Sequence, residues 1–163
     1  MSGLAGDVLQ TVMGMVGAVG FAILFHVKTD KLWAAAFGGG LSWVVYLVVL
    51  ARSDDKALGL LAATITVGVL SEILARVLKT PATILLVPML IPLIPGGDLY
   101  YTTSYFVRGM NKECTQSLDL VVKEAGAIAF GIILVTCLVH VLQQIQNRIR
   151  MKHVSGKDNA GCV

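Results

Sequence analysis

The sequence predicts an all-α integral membrane protein of about five transmembrane helices, the fourth broken at a Pro-Gly motif. Three observations carry this. The chain of 163 residues is 56% hydrophobic and only 14% charged, with a mean hydropathy of +0.78. A soluble chain has roughly 25% charged residues. The charges are also bunched. None lies between Asp7 and His26, none from Leu32 to Ala51, and none from Ala125 to Asn147 with His140 neutral. Uncharged apolar runs of about 18 residues or more read as membrane-spanning helices. Finally, all four prolines fall within fifteen residues, Pro81 to Pro95, of the most apolar third of the chain.

The first span covers about residues 8–25. No Lys or Arg precedes it, so the basic region of a cleaved leader is missing and the run is expected to be retained. Gly14 and Ala18 lie four apart on it. The second span, 32–51, repeats that spacing with Ala34, Gly38 and Ser42. Small residues so spaced let helix backbones approach closely, within the chain or against a second subunit in a higher oligomer. The triplet Gly38-Gly39-Gly40 is not a phosphate loop, because no Lys-Ser/Thr follows and no strand precedes it. The connectors HVKTDK and RSDDK are short, which predicts antiparallel neighbours.

The third span, 57–78, carries a polar stripe. Thr64, Gly68, Glu72 and Arg76 are spaced by four and share one helical face. A carboxylate there must look into protein or a wet cavity. Glu72 and Arg76 are one turn apart and can pair. They read either as a helix-end pair, with Arg76 reaching the interface, or as part of a stripe along a solute path.

The fourth span, 80–107, contains PLIPGGDLYY (Pro92 to Tyr101). Each interior proline removes a backbone donor and clashes with the preceding turn. Irregular backbone at membrane depth is tolerated only where protein or a water-filled cavity satisfies it. Gly96-Gly97 adds freedom for positive φ. Two half-helices meeting near Pro95-Gly96-Gly97 are therefore expected. Asp98, Thr102 and Tyr105 fall on one face of the second half, with Tyr100, Tyr101, Thr103 and Ser104 beside them. Discontinuous helices of this kind form midplane solute sites in secondary transporters, where free N–H groups meet anionic solute groups. Asp98 is then either a helix cap or the receiver of a solute ammonium or a coupling proton. The second role suits a zwitterion, its carboxylate on the Gly96-Gly97 amides and its ammonium on Asp98.

The fifth span, 118–143, carries Thr136, His140 and Gln143. A lone His near a helix end reads as an interfacial residue before a proton relay. Residues 148–163 form a basic tail, expected on the cytoplasmic side near anionic lipid. With five spans the cations divide eight inside (Lys28, Lys31, Arg76, Lys79, Arg148, Arg150, Lys152, Lys157) to five outside (Arg52, Lys56, Arg108, Lys112, Lys123). That bias puts the N-terminus outside and the C-terminus inside the cytoplasmic (plasma) membrane. A re-entrant proline segment with four spans reverses it. The three cysteines and three histidines are scattered, so neither a disulfide framework nor a metal site is expected. No cofactor is expected, and a net charge of +3 interrupted by membrane gives no nucleic-acid surface.

Pro92-Leu93-Ile94-Pro95-Gly96-Gly97, with Tyr100 after it, resembles the proline-glycine motif of the threonine/serine exporter (ThrE-type) family. The segment VGFAILFHV (Val19 to Val27) is similar to that family's early segment, and the order of features along nearly the whole chain fits its five-span C-terminal half. The resemblance implies a small separate subunit that works with a larger ThrE-type membrane subunit carrying the other half. It implies export of small solutes, hydroxy amino acids or small dicarboxylates, with Pro92, Pro95, Gly96 and Tyr100 as motif positions. Asp98 rests on local physics alone. The alternatives are a passive channel, which would favour a ring of like charges, and a structural membrane subunit without a solute site. An intramembrane enzyme is disfavoured, since GxSxG, HExxH and paired catalytic acids are missing from the sequence.

Overall fold

The computed structural model describes residues 4–158, with side chains for residues 5–145. The described residues form six α-helices and no strand: α1 (Leu4–Leu24), α2 (Leu32–Ser53), α3 (Lys56–Leu78), α4 (Ala82–Leu90), α5 (Gly96–Val107) and α6 (Asn111–Asp158). Short 3-10 turns at Thr29–Lys31 and Ile91–Leu93 precede α2 and follow α4. Helices α1, α2, α3 and α6 are each long and apolar enough to cross a bilayer. Ala82–Leu93 and Gly96–Val107 together pass the same test but are bent by 54°. The expected broken fourth span is thus the α4–α5 pair. The helix carrying the fifth apolar run begins at Asn111, ahead of the run itself. The side chains of the basic tail lie outside the described residues.

Local chemistry sets each joint. His26 takes positive φ (56°), and the N–H of Val27 reaches back to the Ala22 carbonyl at 2.9 Å. The histidine closes α1 as a left-handed residue, a position that His adopts more readily than most. In RSDDK the two acids divide the work. Asp54 ends α2 in the left-handed region, and the Asp55 carboxylate caps α3 by accepting the Ala57 N–H at 2.9 Å. The prolines also divide. Pro81 and Pro95 stand immediately before α4 and α5, Pro88 is buried within α4, and Pro92 sits in the 3-10 turn. The break falls at Ile94-Pro95, where ψ is 127° and 60°. Among the described glycines only Gly109, in the α5–α6 turn, has positive φ. Gly96 and Gly97 are instead the first helical residues of α5.

The core is a seam of small residues crossed by a few large ones. Leu60, Val67, Leu85, Met89 and Leu93 are buried against Ala34 and Ala63. The glycine triplet is where α2 meets two neighbours. Gly38 faces Met89 of α4, Gly39 faces Gly14 and Ala18 of α1, and Gly40 faces Met15. The small-residue stripes of the first two spans therefore serve packing within the chain.

Helices α3 and α6 run parallel. Lys56 meets Glu124, Thr64 meets Gly131 and Gly68 meets Val135, offsets of 68, 67 and 67 residues (124 minus 56, 131 minus 64, 135 minus 68). A segment that entered and left on the same side would bring α6 back antiparallel to α3. The α4–α5 pair thus carries the chain across the bundle. Helix α6 starts thirteen residues before Glu124, so about 20 Å of it extends past the start of α3. Helix α5 lies antiparallel on that extension, with Thr102 bonded to Ser117 at 2.7 Å.

Candidate functional site

The bend opens a cleft of about 230 Å³ between α2, α3, the break, α5 and α6. This is below the roughly 300–1,000 Å³ of sites for drug-sized ligands, so it suits a small solute. Trp43 and Tyr46 of α2 form one wall, with ring centroids 5.2 Å apart. Pro92 to Asp98 form another. A Cβ added at Gly96 or Gly97 would meet nothing within 4 Å, so the glycines leave the first turn of α5 open. The Gly96 N–H donates to the Ile94 carbonyl at 2.7 Å, which leaves those of Gly97 and Asp98 as first-turn donors without an intrahelical partner, and the helix dipole adds partial positive charge there.

Three charged side chains from three helices meet beside that turn. Lys56 Nζ, at the start of α3, donates to Asp98 Oδ2 at 2.9 Å. The same ammonium lies 3.7 Å from Glu124 Oε1 of α6. Asp98 follows the Gly-Gly pair directly, and no side chain caps α5. Its carboxylate is committed to Lys56. Glu124 is only 2% exposed, and its Oε2 has no hydrogen-bond partner among the described residues. The indole Nε1 of Trp43 is also buried and unpartnered. Both residues line the cleft, beside the first turn of α5. Buried polar groups are nearly always paired, so unpaired ones ask for an explanation such as a ligand.

The other sequence-predicted residues divide between this cleft and elsewhere. Thr102 is buried, its hydroxyl 2.8 Å from the Asp98 carbonyl and 2.7 Å from Ser117 Oγ. It holds α5 to α6. Tyr101 lines the cleft and stacks on the half-buried Tyr105 at 6.4 Å. Tyr100 points outward, 69% exposed. The stripe on α3 is not brought to the break. Thr64 is buried against Gly131, and Gly68 lies against Val135. Glu72 and Arg76 pair at 3.9 Å, Glu72 lining a separate cleft of about 100 Å³ with Ser71 and Thr136. Sixteen residues of α3, about 24 Å, separate Glu72 from Lys56.

Sequence reasoning missed Lys56 and Glu124 as site residues. Lys56 was counted only toward orientation. Glu124 carried a readable signal. It stands at a regular 3-4 spacing with Ser117, Val121, Ile128, Gly131 and Val135, all buried or half-buried on a helix otherwise largely exposed. A carboxylate on the packed face of an apolar helix is a site candidate.

A family model described as Threonine/Serine exporter, ThrE matches residues 10–138. No curated protein and no solved structure matches the chain. The matched region spans 129 of 163 residues, from α1 through the break to the middle of α6. On that match the chain belongs to the threonine/serine exporter (ThrE) family, a family of multi-pass membrane transporters.

Proposed function

We propose that this chain is the small membrane subunit of a secondary exporter of small metabolites, threonine and serine or small dicarboxylates. It works by alternating access around the broken helix. The solute sits in the cleft at the break, against the first turn of α5, with Lys56, Asp98 and Glu124 beside it. A larger ThrE-type subunit supplies the other half. The N-terminus lies outside and the C-terminus inside the cytoplasmic membrane, following the eight-to-five cation bias.

The observation that carries the reading is the meeting, at an interrupted helix, of the first-turn amides of Gly97 and Asp98 with a buried carboxylate oxygen that no described residue satisfies. Irregular backbone at membrane depth is kept only where it is covered or lines a cavity, and solute sites in transporters are built this way. A structural subunit has no use for an unmet buried carboxylate. The test is efflux of preloaded threonine or succinate from cells making this chain with and without a candidate larger subunit. Faster efflux with the pair is expected. Equal efflux for every small acid tried would sink the reading.

A further inference from the structure

We propose that Lys56 is a two-position strap on the mouth of the cleft. Bonded to Asp98, it ties the first turn of α5 to α3. Passed to Glu124, it lets that turn swing out. What the strap gates rests on reading the cleft as the solute site.

The geometry supplies both positions. Lys56 Nζ stands 2.9 Å from Asp98 Oδ2 and 3.7 Å from Glu124 Oε1. Side-chain exposure falls from 47% at Lys56 to 28% at Asp98 and 3% at Glu124, so the lysine lies at the rim and the glutamate at the back. Among the described residues, Lys56 to Asp98 is the side-chain bond that joins α5 to α3. Helix α5 otherwise rests on α6. Thr102 meets Ser117 there at 2.7 Å, and Ser117 makes a longer bond to the Asp98 carbonyl at 3.3 Å. A Cβ at Gly96 or Gly97 would meet nothing within 4 Å, so side-chain packing does not hold the turn, and the break at Ile94-Pro95 precedes it. A pivot about Thr102 therefore gives up only the longer Ser117 bond and the strap.

One ammonium balances one carboxylate. An ionised carboxylate as deep as Glu124, with an unmet oxygen, is costly. In the closed position Glu124 is therefore the neutral acid, and the Lys56–Asp98 pair is balanced within itself. In the open position Glu124 ionises against Lys56 and gives its proton to water at the mouth. Asp98 moves out with α5, and solvent meets its charge. One proton is released per opening, so raising the pH favours the open position. The charged groups that face Glu124 from other helices are Lys56 of α3 and Asp98 of α5, with Tyr46 and Tyr101 lining the same cleft; α4 carries no titratable side chain. Lys123, next in sequence to Glu124, is turned away onto Asp119 at 2.6 Å. The Lys56–Asp98 bond is partly exposed, so solvent screens it and leaves it weak enough to exchange.

The full-length chain, its native cysteines replaced by serine, is placed in nanodiscs with spin labels at Leu58→Cys of α3 and Leu99→Cys in the first turn of α5, both exposed positions. The distance between the labels is read by pulsed electron paramagnetic resonance through a pH titration. A short distance is expected at low pH and a longer one as the pH rises, their ratio changing by up to about tenfold per pH unit for one proton. Glu124→Gln, which cannot ionise to receive the lysine, is expected to keep the short distance throughout. Asp98→Asn, which loses the closed partner, is expected to keep the long one. One unchanging distance in the parent would overturn the inference. So would a parent-like titration in Glu124→Gln, or the short distance retained in Asp98→Asn. The two variants shift in opposite directions, so loss of fold in one leaves the other decisive. A titrating distance without efflux of any small acid would leave the strap standing and remove the exporter reading; efflux through a chain whose distance never changes would do the reverse.

Discussion

Lys56 faces two carboxylates and hydrogen-bonds one of them, which makes its pair with Asp98 measurable. The side chains are 47% and 28% exposed, so solvent screens the attraction. A coupling of about 0.5–1 kcal/mol is expected. It is read from thermal unfolding in micelles of Lys56→Met, Asp98→Asn and the double variant. The double should be less destabilised than the two singles added together, and strict additivity would remove the ion pair. Asp98 was legible as a polar residue at a break because the signal is local, an acid next to Pro-Gly-Gly. Its partner was not. Lys56 lies 42 residues away and Glu124 a further 26, and nothing in either neighbourhood announces the meeting. Thr64 shows the converse. Its place in the four-residue series through Gly68 to Glu72 is real, yet the face it shares turns toward α6 and is closed by Gly131 and Val135, residues that no reading of α3 alone includes.

At the scale of the helix, close packing and the break make separate demands. A Cβ at Gly39 would stand 2.5 Å from the Ala18 Cβ and 3.1 Å from the Gly14 carbonyl oxygen. Neither atom is the end of a flexible side chain, so α1 and α2 must part. Gly39→Ala is expected to cost about 1–3 kcal/mol. Gly20→Ala, where a Cβ meets nothing within 4 Å, should be neutral or stabilising by up to about 1 kcal/mol. Thermal unfolding of the two variants side by side checks the contrast, and equal melting would refute the packing argument. The break works through backbone conformation instead. Pro95, with ψ at 60°, separates α4 from α5, and alanine at both Pro92 and Pro95 permits the helix to continue. The expected outcome is lost efflux with melting unchanged or raised. Retained efflux would mean that the bend does not shape the site. The bend was legible because proline's missing N–H is a property of one residue. The helical, negative-φ state of Gly96 and Gly97 was not, since glycine permits either sign. The surrounding packing chose the helix start over the turn.

The whole molecule is arranged by the parallel run of α3 and α6, between which the α4–α5 pair carries the chain from one end of the bundle to the other. Antiparallel hairpins place α1 against α2 and α2 against α3. The start of α2 and the end of α3 are tied together where Lys31 Nζ donates to the Leu78 carbonyl at 3.0 Å. Because α6 then runs beside α3 in the same sense, Asn111 lies on the same side of the bundle as the turn at Asp54-Asp55. The connectors at Lys28 and Lys79 lie on the other side. The hairpin of α5 with the first part of α6 projects past that turn by about 20 Å, carrying the exposed Phe106 and Val107. This arrangement predicts a labelling pattern in a variant whose native cysteines are replaced by serine. Single cysteines at Asp54 and at the exposed Thr115 should react alike with a membrane-impermeant maleimide on intact cells. Cysteines at Lys28 and Lys79 should react only after permeabilisation, if the cation bias sets orientation as it does for most short loops. The two halves of the test are independent. All four responses inverted together would reverse the orientation and keep the fold. Asp54 and Thr115 labelled from opposite sides would mean that α4 and α5 enter and leave on one face, and the cleft at Pro95 would then not lie on a path across the membrane.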